Sequence, residues 1–127
     1  MNLYFTEEQE ILRKSAKDFL ASKYPKKIVK EHEESESGYS TELWKEMSNL
    51  GWMGLFIPEN YGGVGMTFLD QAMLMEEMGR VCMPGPYFST MFLGAYPILD
   101  FGTEAQKGKY LPEIANGNAI VTLALTE

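Results

Sequence analysis

The stretch GWMGLFIPENYGGVG, residues 51–65, decides how this chain folds, because it places an apolar run and a glycine-rich turn between two helical patterns. The run from Trp52 to Pro58 is apolar but interrupted. Gly62, Gly63 and Gly65 then indicate a tight turn whose backbone adopts positive φ or approaches another group closely. A phosphate-binding P-loop is rejected because no helix-opening Lys-Ser/Thr pair follows. We therefore predict a structural turn at residues 61–65.

Helical patterns lie on both sides of this stretch. Apolar residues at helical spacing predict one helix over residues 41–50, which Gly51 would end in a left-handed conformation. Thr67 caps a second helix that ends near Gly79. Capping boxes at Thr6 and Thr103 open two further helices. The remaining predicted helices cover residues 6–22, a charged stretch from Pro25, residues 88–99 with Pro97 as a candidate kink, and a short helix from Thr103 that Pro112 interrupts. The fold class expected is all-α, an antiparallel helical bundle of five or six helices.

The character of the sequence changes at its end. Asn116 and Gly117 stop the helical pattern, and residues 119–125 contain Ile120, Val121 and Thr122, which favour a β-strand. A solitary strand cannot satisfy its own backbone hydrogen bonds, so it needs partners that this chain does not supply. We therefore expect a helical domain over residues 1–118 and the truncated start of a second domain over residues 119–127.

Composition narrows the class of protein. The chain has 127 residues, 45% of them hydrophobic, and its 18 acids against 11 bases give a net charge of −7. Such an acidic chain is a poor candidate for nucleic acid or anionic membranes. The single cysteine excludes an intrachain disulfide and a cysteine-based metal cluster, which fits an intracellular compartment. No secretory signal is expected at the N-terminus, and the uncharged residues 81–99 hold too many prolines for a membrane span.

Few side chains are candidates for chemistry. His32 is expected to be a solvated loop residue, and Cys82 a small packed hydrophobe. Glu76 and Glu77 are adjacent on one helix and point in different directions, so they are expected to be structural or to face a partner. The five methionines in this region, namely Met66, Met73, Met75, Met78 and Met83, could line an apolar pocket, but core packing is favoured.

The uncharged helix over residues 88–99 carries two small residues among large apolar ones. Gly94 and Ala95 can leave a slot for a flat or linear apolar ligand. Close packing against another element is an equally good reading of the same two residues.

The ordered set of motifs resembles the acyl-CoA dehydrogenase family over essentially the whole chain. The matching segments are Phe5-Thr6-Glu7-Glu8-Gln9, Gly51-Trp52-Met53-Gly54, Pro58-Glu59-Asn60-Tyr61-Gly62-Gly63, Phe101-Gly102-Thr103-Glu104-Ala105-Gln106-Lys107, Tyr110-Leu111-Pro112, Gly117 and Ala124-Leu125-Thr126-Glu127. The resemblance identifies the region as the N-terminal helical domain, which in the family precedes a small β domain and a second helical domain.

The resemblance implies an activity and its cofactor. The family oxidises an acyl-CoA to the 2,3-enoyl-CoA, with a carboxylate removing the α proton and FAD accepting the β hydrogen as hydride. Electrons usually leave to an electron-transfer flavoprotein. The family's base is a Glu of the C-terminal helical domain, so no catalytic residue is expected here and this chain alone should be inactive and should not retain FAD. A homo-oligomer in the cytoplasm, or in the mitochondrial matrix of a eukaryote, acting in fatty acid metabolism, is the implied setting.

The resemblance also implies site residues. Leu123, Leu125 and Thr126 match family positions that contact FAD through backbone groups and, at the threonine, through the hydroxyl. Backbone N–H groups and a hydroxyl bind ring heteroatoms without adding a charge, and so tune the flavin. For the acyl pocket the candidates are chosen by character, from the uncharged helix: Met91, Phe92, Ala95 and Tyr96.

Two alternatives stay open. One keeps the fold but changes the reaction to that of an acyl-CoA oxidase or another related flavin enzyme. The other is a free-standing, non-catalytic helical interaction module that uses apolar surface left uncovered.

Overall fold

The computed structural model describes residues 4–126, and this part of the chain contains six α-helices. Two 3₁₀ turns lie between the third and the fourth helix, and a π-helical segment runs directly into the fifth. The helices are α1 (Glu7–Lys23), α2 (Lys26–Glu33), α3 (Thr41–Asn49), α4 (Phe68–Arg80), α5 (Tyr96–Phe101) and α6 (Glu104–Ala115), the 3₁₀ turns Trp52–Gly54 and Glu59–Tyr61, and the π-helical segment Ser89–Ala95. The all-α prediction is confirmed.

Side-chain caps fix where the main helices start. Thr6, Thr67 and Thr103 each accept a hydrogen bond from the backbone N–H three residues on, and each forms a complete capping box. These caps pair backbone donors that a helix start otherwise leaves unbonded. The boundary at Pro25 differs slightly from the prediction, because Pro25 precedes α2 as its N-cap.

The stretch that joins α3 to α4 begins with a buried run, residues 52–57, as its apolar composition requires. Gly62 and Gly65 have φ of 83° and 73°. At Gly63 a Cβ atom would lie 1.9 Å from the carbonyl oxygen of Ile57, so no other residue fits. The N–H groups of Val64 and Gly65 donate to the carbonyls of Gly54 and Ile57 at 2.8 and 2.9 Å. Because these donors point into the protein, the predicted structural turn is confirmed.

The helix that was expected over residues 88–99 is longer and contains a π-helical part. Residues 87–101 are continuously helical, and the N–H of Tyr96 donates to the carbonyl of Met91, five residues back. Pro97 lies in the first turn of α5 and has no N–H. The wider π turn gives the proline ring room where an α-helix would clash with the preceding turn.

Two predictions made from sequence, for Pro112 and for His32, are wrong. Pro112 does not interrupt α6, which continues to Ala115. Leu111 and Ile114 are fully buried, and burial of two such side chains outweighs the roughly 3 kcal/mol that an internal proline costs. His32 lies in the last turn of α2 and is half-buried, so it is not a loop residue.

One hydrophobic core joins the helices to the buried stretch. Met73 and Met78 are buried, as core packing predicts, and Met66, Met75 and Met83 are half-buried; Met75, Met78 and Met83 also line a small pocket of about 130 Å³. The fully buried side chains of the core include Ala16, Leu20, Met53, Ile57, Leu74, Met91, Ala95, Leu111 and Ile114.

The residues expected to form a strand have no regular secondary structure in the described part of the chain. A strand exists only by pairing with a second strand, and the described residues supply none. The division into residues 1–118 and 119–127 stays a prediction. Glu127, which closes the last motif, lies outside the described residues.

Candidate functional site

The chain after α6 turns back over the π-helical segment and is held at its start. Gly117 has φ of 69°, and a Cβ atom there would lie 2.8 Å from the Ser48 side chain. The Trp44 Nε1–H donates to the Gly117 carbonyl at 3.0 Å. The N–H groups of Asn118 and Ala119 both donate to the Glu113 carbonyl, at 2.9 and 3.2 Å. These bonds set the direction in which residues 120–126 leave the helices.

Beyond Ala119 the segment packs closely against the π helix at Gly94. A Cβ atom at Gly94 would lie 2.1 Å from Val121 Cγ2, so the glycine makes room for the valine. Close packing, one of the two readings of Gly94 from sequence, is thus confirmed, and Gly94 also lines the apolar groove beside this contact.

An open apolar groove of about 410 Å³ runs beside this contact. One wall is the helix from Leu93 to Phe101, and the other comes from Tyr110 of α6 and the terminal segment. No Asp, Glu, Lys or Arg side chain is among its described lining residues, which are Leu93, Gly94, Pro97, Ile98, Phe101, Gly102, Gln106, Tyr110, Val121, Thr122 and Leu123. The groove suits an uncharged apolar group and holds no acid or base.

The three residues matched to flavin contacts lie on the exposed terminal segment. Leu123 lines the groove, Leu125 is 81% exposed, and Thr126 is exposed. No backbone N–H or carbonyl of residues 120–126 is hydrogen-bonded to another described residue. Their unbonded donors and acceptors are the groups that can bind flavin ring heteroatoms. The donor set therefore fits FAD, and the role of these residues stays a prediction.

The four residues chosen for the acyl pocket lie on two faces of their helix. Met91 and Ala95 are fully buried and face the core of the domain. Phe92 and Tyr96 are half-buried on another face, where Phe88, Phe92 and Tyr96 stack at centroid distances of 5.3 and 5.9 Å. None of the four lines the groove.

Sequence reasoning did not select Leu93 and Pro97, which do line the groove. A 3.6-residue period assigns helix faces incorrectly where the turn is π-helical, because i→i+5 bonding rotates each following side chain. The available signal was Pro97, since a proline inside a helical pattern marks an irregular turn.

The adjacent glutamates of α4 are structural. Arg13 of α1 contacts Glu76 and Glu77 at 3.3 and 3.1 Å, and Arg80 contacts them at 3.2 and 3.0 Å. The Glu77 side chain is only 2% exposed. Burial alone would raise the pKa of the Glu77 carboxyl, but the two arginines outweigh it and hold the pKa below its usual value. The ion pairs of Arg13 attach α1 to α4, whereas those of Arg80 lie within α4.

A third carboxylate, that of Asp70, joins the same two helices. The Asp70 carboxylate accepts hydrogen bonds from Thr67, at 2.7 Å from its N–H, and from the Gln9 amide at 2.9 Å. These bonds outweigh burial and lower the pKa of Asp70 below its usual value.

The prediction for Cys82 is wrong. Cys82 is exposed and has φ of 53°, because it lies in the turn that follows α4, beyond the packed face of the helix. Among residues 4–126, no group of three His, Cys, Asp or Glu side chains is placed to hold a metal ion. In the same residues, no helix has the length and hydrophobicity to cross a membrane.

Comparison with known proteins assigns the family. The family model "Acyl-CoA dehydrogenase, N-terminal domain" matches residues 6–118. The "Probable acyl-CoA dehydrogenase YngJ" of Bacillus subtilis is 36% identical over 100% of this chain and 33% of its own length. The "Caffeyl-CoA reductase-Etf complex subunit CarC" of Acetobacterium woodii is 35% identical over 98% of this chain and 33% of its length.

A solved structure agrees with these sequence matches. An acyl-CoA dehydrogenase from Bacillus anthracis, solved in complex with FAD, superposes with a TM-score of 0.79 and 32% identity, over 89% of this chain and 19% of that one. The chain thus spans about a third of the length of the two curated relatives. Since the family model covers nearly all of the helical residues, the chain belongs to the acyl-CoA dehydrogenase family and corresponds to its N-terminal domain.

Proposed function

We propose that this chain serves as the N-terminal helical domain of an FAD-dependent acyl-CoA dehydrogenase, which oxidises an acyl-CoA to the 2,3-enoyl-CoA. One observation carries the proposal within the structure. An uncharged groove lies beside an exposed segment whose backbone donors and acceptors are unbonded to any described residue. An apolar acyl chain and a polar ring system need these two kinds of surface side by side.

In this proposal the terminal segment holds the flavin. Backbone groups of Leu123 and Leu125 and the hydroxyl of Thr126 bind heteroatoms of the ring. When bound, FAD supplies the acceptor for the β hydrogen of the acyl group. The relative solved with FAD supports the choice of cofactor.

The acyl group is proposed to lie along the helix from residue 88 to residue 99. Leu93 and Ile98 contact it in the groove and exclude water from it. Phe92 and Tyr96 extend the apolar surface on the neighbouring face, while Met91 and Ala95 support the helix from the core. None of the four residues predicted from sequence lines the groove, and their proposed role is to shape and support the helix that forms its wall.

The α proton must be removed by a base from outside this domain. A general base has to lie within hydrogen-bond reach of the proton it takes, and no carboxylate is among the described lining residues of the groove. In the family that this chain belongs to, the base is a Glu of the C-terminal helical domain, and we propose the same source for the base here. We propose that residues 1–127 tested alone neither catalyse the reaction nor retain FAD.

Partners and setting follow from the same proposal. Electrons pass to an electron-transfer flavoprotein, in line with the relative named as a subunit of a reductase–Etf complex. The enzyme is proposed to be a homo-oligomer in the cytoplasm, or in the mitochondrial matrix of a eukaryote, and to act in fatty acid metabolism.

The test is an assay of the protein encoded by the complete reading frame that contains this chain. We expect a bound flavin spectrum, reduction of a dye by acyl-CoA, and formation of the 2,3-enoyl-CoA. The matched control is residues 1–127 alone, for which we expect no turnover. Turnover by residues 1–127 alone, or a flavin-loaded protein that oxidises no member of a panel of acyl-CoA esters, would contradict the proposal.

The same assay separates the alternatives. Peroxide formed in step with the enoyl product identifies an oxidase. A protein that purifies without flavin and binds none would favour the non-catalytic helical module. The name of the Acetobacterium relative favours one further candidate, a related flavin enzyme that works toward the saturated acyl-CoA. Faster turnover from enoyl-CoA and a reduced donor than from acyl-CoA identifies it.

A further inference from the structure

The residues proposed to bind the flavin lie in a segment that no backbone hydrogen bond fixes to the other described residues. The last residue with a backbone hydrogen bond to the rest of the described chain is Ala119, whose N–H donates to the Glu113 carbonyl. Residues 120–126 make no backbone hydrogen bond to another described residue. Within residues 4–126, their position therefore comes from side-chain packing.

Val121 supplies that packing, and Gly94 makes it possible. A Cβ atom at residue 94 would lie 2.1 Å from Val121 Cγ2 and 3.1 Å from Val121 Cβ, and the first of these distances is impossible for two carbon atoms. The helix that carries Gly94 is held by its own backbone hydrogen bonds, whereas the segment that carries Val121 is not. A side chain added at Gly94 would therefore move the segment and leave the helix in place.

We propose that Gly94 is a positioning residue for the cofactor: by receiving the Val121 side chain, it sets where Leu123, Leu125 and Thr126 present their backbone and hydroxyl groups. This inference rests on the proposed function, because the flavin role of the three residues does. Gly94 itself touches no reacting atom, and it acts through Val121.

The first arm of the test needs no cofactor. In the chain as it stands, NMR should show nuclear Overhauser contacts between the Gly94 α protons and the Val121 methyls. Gly94→Ala should shift the amide resonances of residues 119–126 and spare those of α1–α4. Adding Val121→Ala should reverse most of that shift, because the nearest remaining approach of 3.1 Å needs only a few tenths of an ångström of adjustment.

Gly108 offers a matched control on α6, because a Cβ atom there meets nothing within 4 Å. Gly108→Ala should leave residues 119–126 unchanged. If Gly94→Ala does not fold, Val121→Ala alone remains informative. It removes the contact without adding an atom, and should increase the backbone mobility of residues 122–126. Shifts no larger than those of Gly108→Ala, together with unchanged mobility in Val121→Ala, would overturn the inference.

The second arm uses the FAD-loaded protein from the complete reading frame. Gly94→Ala should weaken FAD binding about tenfold, the effect of misplacing one hydrogen bond of ordinary net strength, and should shift the visible flavin band. The double variant with Val121→Ala should recover both. A displaced segment with unchanged flavin affinity and spectrum would refute the role of Gly94 toward the cofactor.

The two arms separate the two possible failures. If the unsubstituted protein binds no FAD, the proposed function fails, and the inference about the cofactor fails with it, whatever the first arm shows. If it binds FAD but the segment does not respond to Gly94→Ala, only the inference about Gly94 fails.

Discussion

Tyr87 lies at the centre of the fold, and removing its hydroxyl should destabilise the domain measurably. The side chain is 1% exposed. Its hydroxyl accepts a hydrogen bond from the Gln71 amide at 2.9 Å and donates one to the Trp52 carbonyl at 2.7 Å. Through these bonds Tyr87 links its own helix to α4 and to the buried stretch after α3. Burial also raises the pKa of Tyr87 above its usual value, which keeps the hydroxyl protonated.

Tyr87→Phe keeps the ring and its edge contact with Trp44, 6.5 Å away between centroids, so the loss is confined to the two hydrogen bonds. Each is worth about 1 kcal/mol net, and a buried donor and acceptor left unpaired cost more. The free energy of unfolding should fall by about 2–4 kcal/mol in total. For a domain of this size that lowers Tm by about 10 °C.

Urea denaturation followed by tryptophan fluorescence measures this change, since Trp44 and Trp52 lie beside the substituted ring. Tyr110→Phe is the control, because Tyr110 is 40% exposed and its hydroxyl makes no hydrogen bond to a described residue. It should cost less than about 0.5 kcal/mol. Equal and small effects for the two variants would show that the Tyr87 hydroxyl is not bonded as described.

Three further predictions concern stability. The pKa of the Glu77 carboxyl is lower in the folded chain than the usual value of about 4.3. Its ion pairs therefore stabilise the fold above that pH, and this stabilisation is lost as the pH falls through the folded pKa. Urea titrations at a series of pH values should show a steep loss of stability in acid, and Glu77→Gln should make that loss less steep. Gly117→Ala, at positive φ and against Ser48, should lower the free energy of unfolding by about 1–3 kcal/mol, whereas Gly108→Ala should raise it by about 0.5–1 kcal/mol, as chemical denaturation can show. Thr103→Ala removes the cap of α6 and should cost about 1 kcal/mol in the same assay, and a smaller loss than for a surface control would contradict the capping role.

Helix starts and the central turn could be predicted from sequence because their causes are local. A threonine followed three residues later by Gln or Asp caps its own helix, as at Thr6 and Thr67. The glycine-rich composition predicts the turn, and Gly62 adopts the positive φ expected there. The all-α class and the family resemblance were likewise accessible, since both rest on the order of such local signals along the chain.

The site could be predicted only in part. The terminal segment was identified through family motifs, and it does lie exposed with unbonded backbone groups. The side chains that form the helical wall of the groove were not identified from sequence, because the π turn before Pro97 changes which side chains share a face. Cys82 was expected to be packed, yet the turn after α4 exposes it.

Local sequence patterns were enough to identify the helical segments and the starts of the capped helices α1, α4 and α6, because a helix and its cap depend on neighbours a few residues apart. Two other contacts depend on the tertiary structure. Trp44 donates a hydrogen bond to the carbonyl of Gly117, 73 positions away along the chain, and Gly94 leaves room for the Val121 side chain. Contacts of this kind arise when helices pack, and packing is set by the shape of the whole interior rather than by any local pattern.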